Sequence, residues 1–175
     1  FQVPSSTLTT TATPTPSLTT TPTATGTVAP GGAAHRLFFS ALESGPNAGG
    51  ESNAGAFVTI WGEGFGATRG SSTVTIGGQE VTRYVTWGQD NAVARSLDMI
   101  VVQVGTAITT GNVVVTVNGQ ASNPLSFTVR SGNIYFVATT GDDANDGSFA
   151  LPWRSSVQAK NTIAPGDIAY VMNGV

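Results

Sequence analysis

The densest grouping of chemistry-bearing side chains is the run Gly141-Asp142-Asp143-Ala144-Asn145-Asp146-Gly147. Carboxylate and amide oxygens this close together, flanked by glycine, are what a hard cation such as calcium takes as ligands. The spacing departs from a calcium-binding EF-hand loop. Ala144 occupies the third position counted from Asp142, and Trp153 stands where the bidentate glutamate belongs. The same residue types also make Asx turns, in which the side chain accepts hydrogen bonds from nearby backbone N–H groups. Asp142, Asp143, Asn145 and Asp146 are therefore read first as a structural turn, with calcium as the alternative ligand. No other cofactor is expected.

Elsewhere the residue types needed for catalysis are sparse. His35 is the single histidine, and there is no cysteine. A thiol nucleophile, a thiolate zinc site and a disulfide framework are excluded, and His35 has no Ser or Asp partner in sequence that would make a triad. The acidic residues show no pattern that sets two carboxyls across a cleft for glycoside hydrolysis. No catalytic residue is expected within this chain. Aromatic rings can bind sugars by stacking, and Tyr84, Trp87 and Trp153 are the candidates. Trp87 falls in Thr86-Trp87-Gly88-Gln89-Asp90, which reads as a surface loop following a strand.

Charge narrows the partners. Charged residues make up only 10% of the chain and the net charge is −3, with seven scattered basic residues. Nothing in that distribution would neutralise a phosphate backbone, so neither nucleic acid nor an anionic membrane surface is an expected partner. No apolar run approaches the roughly 20 residues of a membrane helix, so insertion is not expected either. Beginning at Phe1 without a basic start or an apolar signal core, the sequence reads as a processed mature chain or an excised fragment.

Three segments carry these residues. Residues 1–34 are almost wholly Thr, Pro, Ser, Ala and Gly, with no charge before Arg36 and a near-repeat of Leu-Thr-Thr at 8–10 and 18–20. Few large apolar groups are present to offset the entropy of ordering, and prolines 14, 16 and 22 block helix. The composition is that of an extended arm or O-glycosylated stalk, with Thr9, Thr10, Thr11, Thr19, Thr20 and Thr21 as acceptor candidates. Such an arm is expected to make its contacts with another chain or with attached sugars rather than with residues 37–175.

Residues 35–131 alternate strand-like runs with Gly-rich turns. Strands are expected over 37–42, 56–61, 72–76, 80–85, 97–104, 112–117 and 125–129, in an antiparallel sandwich. Phe57/Thr59/Trp61 against Val58/Ile60, and Val113/Val115/Val117 against Val114/Thr116, alternate with period two. The expected core is Phe57 or Val58, with Ile60, Phe65, Val74, Ile76, Ile100, Val102, Val115, Val117 and Phe127. Gly77-Gly78 and Asn118-Gly119 supply the turn chemistry of tight hairpins. The fold class is all-β.

The motifs Val58-Thr59-Ile60-Trp61-Gly62-Glu63-Gly64-Phe65-Gly66, Val74-Thr75-Ile76-Gly77-Gly78, Gly111-Asn112-Val113-Val114-Val115-Thr116-Val117-Asn118-Gly119 and Ser122-Asn123-Pro124-Leu125-Ser126-Phe127-Thr128-Val129 resemble, in order and spacing, the IPT/TIG family. The resemblance implies an immunoglobulin-like β-sandwich. It also implies one of several roles: a spacer in carbohydrate-active enzymes, a module of surface receptors and adhesins, or a dimerising or DNA-contacting module. The DNA role needs basic loops, and the corresponding turns here are acidic or neutral.

Residues 132–175 form a third unit: a strand at 134–137, the acidic turn, a helical turn at 156–160 and a strand at 167–171. With Pro152-Trp153 and Pro165-Gly166-Asp167, this resembles the N-terminal cap and first rung of right-handed parallel β-helix proteins of the pectate-lyase-like class. The resemblance implies further rungs after Val175, where the catalytic base and calcium ligands of such lyases lie. The expected function is a non-catalytic structural or adhesive module, secreted or on a cell surface. It would be a subunit of a filament or matrix held by its arm, with copies of itself or a surface polysaccharide as partners. The alternatives are the spacer of a secreted polysaccharide lyase or hydrolase, and a carbohydrate-binding surface protein.

Overall fold

Period-two alternation of β-branched residues yields two facing sheets. A computed structural model describes residues 35–89 and 97–172; the arm, with its six candidate threonines, lies outside them. The strands in chain order are β1 (Arg36–Ser40), β2 (Ser44–Gly45), β3 (Phe57–Glu63), β4 (Thr73–Ile76), β5 (Gln79–Glu80), β6 (Arg83–Gln89), β7 (Asp98–Gln103), β8 (Gly111–Val117), β9 (Gln120–Ala121) and β10 (Leu125–Val129). One sheet runs β1-β3-β7-β6, and the other runs β2-β10-β8-β4-β5 with β9 beside β8. Between them lie Val58, Ile60, Ile100 and Val102 of the first sheet against Val74, Ile76, Val113, Val115 and Phe127 of the second. Val58 takes the core place while Phe57 is half-buried, and Val117 only packs against the edge of the core.

The two hairpin turns form as expected. Gly77, Gly78, Asn118 and Gly119 all have positive φ, the geometry that matches the right-handed twist of the flanking strands.

Three expectations are corrected. The strand expected over 80–85 is divided: β5 pairs with β4 in one sheet, and β6 pairs with β7 in the other. Val81, 2% exposed, sits in the core where the chain crosses between sheets. The strand also runs on to Gln89, which puts Trp87 inside β6 rather than in a loop. Finally, the sandwich is not wholly antiparallel, because β2 pairs parallel to β10.

The remaining elements are β11 (Ile134–Val137), the seven-residue α1 (Ser156–Thr162) and β12 (Ile168–Val171). Helix α1 starts where expected: Ser155 is its N-cap, its Oγ accepting from Gln158 N at 3.2 Å. Strands β11 and β12 pair in parallel from Ile134 with Ile168 to Val137 with Val171, and Trp153 adds a parallel bridge to Val137. Parallel strands need a long crossover, which here carries the acidic loop and the helix. Val137, Trp153 and Ala159 form a small core of this segment's own.

Candidate functional site

The C-terminal segment does not hang free of the sandwich. Tyr170 on β12 places its hydroxyl 2.8 Å from Phe57 N, accepting that bond, and its ring meets Phe57 edge-on at 5.2 Å between centroids. Burial pushes the Tyr170 phenol up, against the smaller downward pull of the Phe57 N–H. Arg130, just past β10, reaches in two directions: its Nε donates to Ser44 Oγ at 3.2 Å, and its guanidinium donates to the carbonyl of Gly166. Asp167 closes the turn before β12, accepting from Asn133 N at 2.7 Å and from Ala164 N at 2.9 Å. The Tyr170 and Arg130 bonds thus join the two sides of the seam, while Asp167 braces the turn from within the C-terminal segment.

In the acidic loop each side chain is committed to a hydrogen bond within the C-terminal segment, mostly with backbone. Asp142 Oδ1 accepts from Ala144 N, and Asp146 Oδ1 from Ser148 N, both at 2.9 Å. Asp143 reaches across to α1, accepting from Arg154 N at 3.0 Å, Ser155 N at 2.8 Å and Ser155 Oγ at 2.7 Å. Asn145 donates to the Pro152 carbonyl. Among the described residues no three His, Cys, Asp or Glu side chains are grouped so that they could hold a metal ion.

The bonds from the Ser155 side chain and backbone hold the Asp143 carboxyl below the usual range, and the Ser148 N–H does the same for Asp146. Asp167 is lowered chiefly by Ala164 N–H and then by Asn133 N–H. Folded values below the unfolded one mean that this contribution is present above the unfolded pKa of about 3.9 and is lost as pH falls through the folded values. Thermal melts from pH 7 to pH 2 are expected to hold level and then fall below about pH 4. In Asp143→Asn with Asp167→Asn the acid branch should flatten.

The three aromatic candidates are placed differently from one another. Trp153 is 2% exposed, stacks on Tyr135 at 4.6 Å between centroids and donates from Nε1 to Asn145 O at 2.8 Å. It has no open face for a sugar, which corrects its reading as a stacking platform. Trp87 is half-buried on the core side of β6 and donates from Nε1 to Phe65 O at 3.2 Å. Tyr84 is also half-buried, packs on Trp87 and under Arg69, and its hydroxyl accepts from Val74 N. His35, 6% exposed, is tied by Nε2 to the Gln120 carbonyl at 2.7 Å.

Sequence reasoning missed two polar groups that organise the sandwich. Asp98, 7% exposed, accepts from Phe65 N at 2.6 Å and so anchors the glycine-framed loop. Asn123 bonds both the N–H and the C=O of Leu37, at 2.9 and 3.0 Å. The Ser-Asn-Pro step hinted at a special role for Asn123, but its partner lies 86 residues away.

Phe65, 1% exposed, fills the end of the sandwich beneath Gly62, where a methyl group would overlap both the Phe65 ring and the Arg36 carbonyl. No curated protein and no solved structure matches the chain. The family model of the IPT/TIG domain matches residues 44–129, the span from β2 to the end of β10 that holds Gly62, Phe65 and both tight hairpins, and this part of the chain is an IPT/TIG domain.

Proposed function

We propose that this chain is a non-catalytic structural or adhesive module of an extracellular surface or matrix. In this reading copies are joined by the N-terminal arm, and residues 132–175 begin a parallel β-helix. The observation that carries it is the parallel β11–β12 pair held against the sandwich by Tyr170 and Arg130. Parallel pairs of two strands are not stable by themselves, and an uncovered strand edge is a site of pairing. Strand β12 ends this sheet among the described residues, and Val171 is 60% exposed at its end. A rigid joint of this kind suits a load-bearing spacer that hands its sheet on to further strands.

The same joint supports a second reading, the spacer of a secreted β-helix polysaccharide lyase or hydrolase. Binding of the intact native chain to surface polysaccharides, with assay for their cleavage, separates the two. For the structural reading, removing residues 1–30 is expected to abolish concentration-dependent assembly in sedimentation velocity while circular dichroism still reports a folded sandwich. Assembly unchanged by that deletion would refute it.

A further inference from the structure

We infer that the outer edge of β6 is the acceptor for the arm of a second copy, which adds residues 5–13 as a strand beside Arg83–Gln89. This rests on the arm-held assembly proposed above and names its receiving surface.

The sheet edges are treated unequally. The six-stranded sheet ends on both sides in strands of two residues, β2 and β5, too short to template a partner. The four-stranded sheet ends in β1 and β6. On β1 the outward N–H and C=O of Leu37 are both taken by Asn123, which occupies the place of a neighbouring strand. Strand β6 has seven residues, and no described strand lies beyond it. Its one charged residue, Arg83, is paired with Glu51 at 2.6 Å, and the guanidinium of Arg69 lies over the Tyr84 ring rather than on a neighbouring strand. A bulge between Tyr84 and Thr86 puts Val85 outward at 53% exposure, an apolar contact beside the edge. Bulges are a usual protection of edges, and this one leaves Thr86–Gln89 in regular register with β7.

The arm matches that edge in chemistry. It carries no charge, so it brings no like-charge repulsion and no buried ion to an edge that has Arg83 paired with Glu51 and Arg69 over Tyr84. Strand addition uses the donor's backbone N–H groups, which proline lacks. Prolines at 4, 14, 16, 22 and 30 leave residues 5–13, Ser-Ser-Thr-Leu-Thr-Thr-Thr-Ala-Thr, as the longest proline-free run before Pro30 that is free of glycine. It is long enough to lie along the whole of β6 and is dominated by strand-favouring threonine. Leu8 can meet Val85. Residues 14–34 then act as the spacer. The four prolines of that stretch disfavour helix, and a Pro-rich spacer reaches about 3.1 Å per residue when extended, enough to span to a second copy.

The test uses the full chain and two variants. Val85→Lys puts on the acceptor a charge of the kind that natural sheets use to prevent pairing, at an exposed site. Thr9→Pro interrupts the donor run with a residue the arm already tolerates. Each is expected to weaken self-association about tenfold or more in sedimentation equilibrium, with unchanged thermal melts. The backbone amides of residues 83–89 that do not bond β7 are expected to gain hydrogen-exchange protection only as the wild-type chain assembles. Three results overturn the assignment. If Val85→Lys assembles normally while removal of residues 1–30 prevents assembly, the acceptor lies elsewhere and only the arm-held reading survives. If the β6 amides that face away from β7 are equally protected in dilute monomer, the edge is covered within its own chain. If removal of residues 1–30 changes nothing, both inferences fall together.

Discussion

Trp153→Ala is expected to release the C-terminal segment, raising amide exchange over β11 and β12 about a hundredfold or more while the sandwich amides keep their protection. The indole is the largest fully buried side chain in the described structure. It stacks on Tyr135, bridges β11 through its backbone and bonds the Asn145 carbonyl through Nε1. Truncating a buried Trp costs about 3–5 kcal/mol through lost transfer energy and the cavity left behind. The fully buried part of this small core is otherwise only Val137 and Ala159, with Tyr135 and Ala169 packed against it, so it has little with which to refill the space. Trp153→Phe keeps the stack and loses the Nε1 bond, and should cost only about 1–2 kcal/mol beyond its smaller volume. Equal exchange rates in wild type and Trp153→Ala would show that the seam alone, through Tyr170 and Arg130, holds β12 in place.

Phe65→Ala is expected to lower the stability of the sandwich by about 3–5 kcal/mol, moving the urea midpoint down by about 2 M. The ring is a plug, and its surroundings are built around it. Gly62 admits it by lacking a side chain, Trp87 packs on it at 6.4 Å between centroids, and its own N–H and C=O are held by Asp98 and Trp87. Because the backbone is pinned at both groups, the loop cannot collapse into the vacated space. A poorly collapsing site pays most of the cavity cost. Equilibrium unfolding followed by Trp fluorescence checks it, since Trp87 sits beside the plug. A midpoint shift under about 0.5 M would mean the loop closes over the gap after all.

Most of the sandwich was legible in the sequence because each strand's own alternation records which side it buries. Val58 and Ile60, or Val113 and Val115, could be assigned to a core without knowing what covers them. Gly77-Gly78 and Asn118-Gly119 set their turns locally, since only residues tolerant of positive φ suit them. Helix α1 was visible in part from its residues, though its serine cap was not singled out.

What only the tertiary structure decided has one physical cause: local pattern specifies that a face must be covered and leaves open what covers it. Ser44-Gly45 is too short to show any alternation, so its parallel pairing with β10 could not be read. The run 80–85 alternates well enough for one strand, yet Val81 is spent on the core between sheets and the chain changes sheet there. Trp153 and Trp87 look alike in sequence as aromatic residues near turns, and one is enclosed while the other lies half-buried in a strand. The seam joins residues far apart in the chain, Phe57 with Tyr170 and Arg130 with Gly166. Such bonds have no local signature, because a tyrosine hydroxyl or a guanidinium finds its partner only after both units have packed.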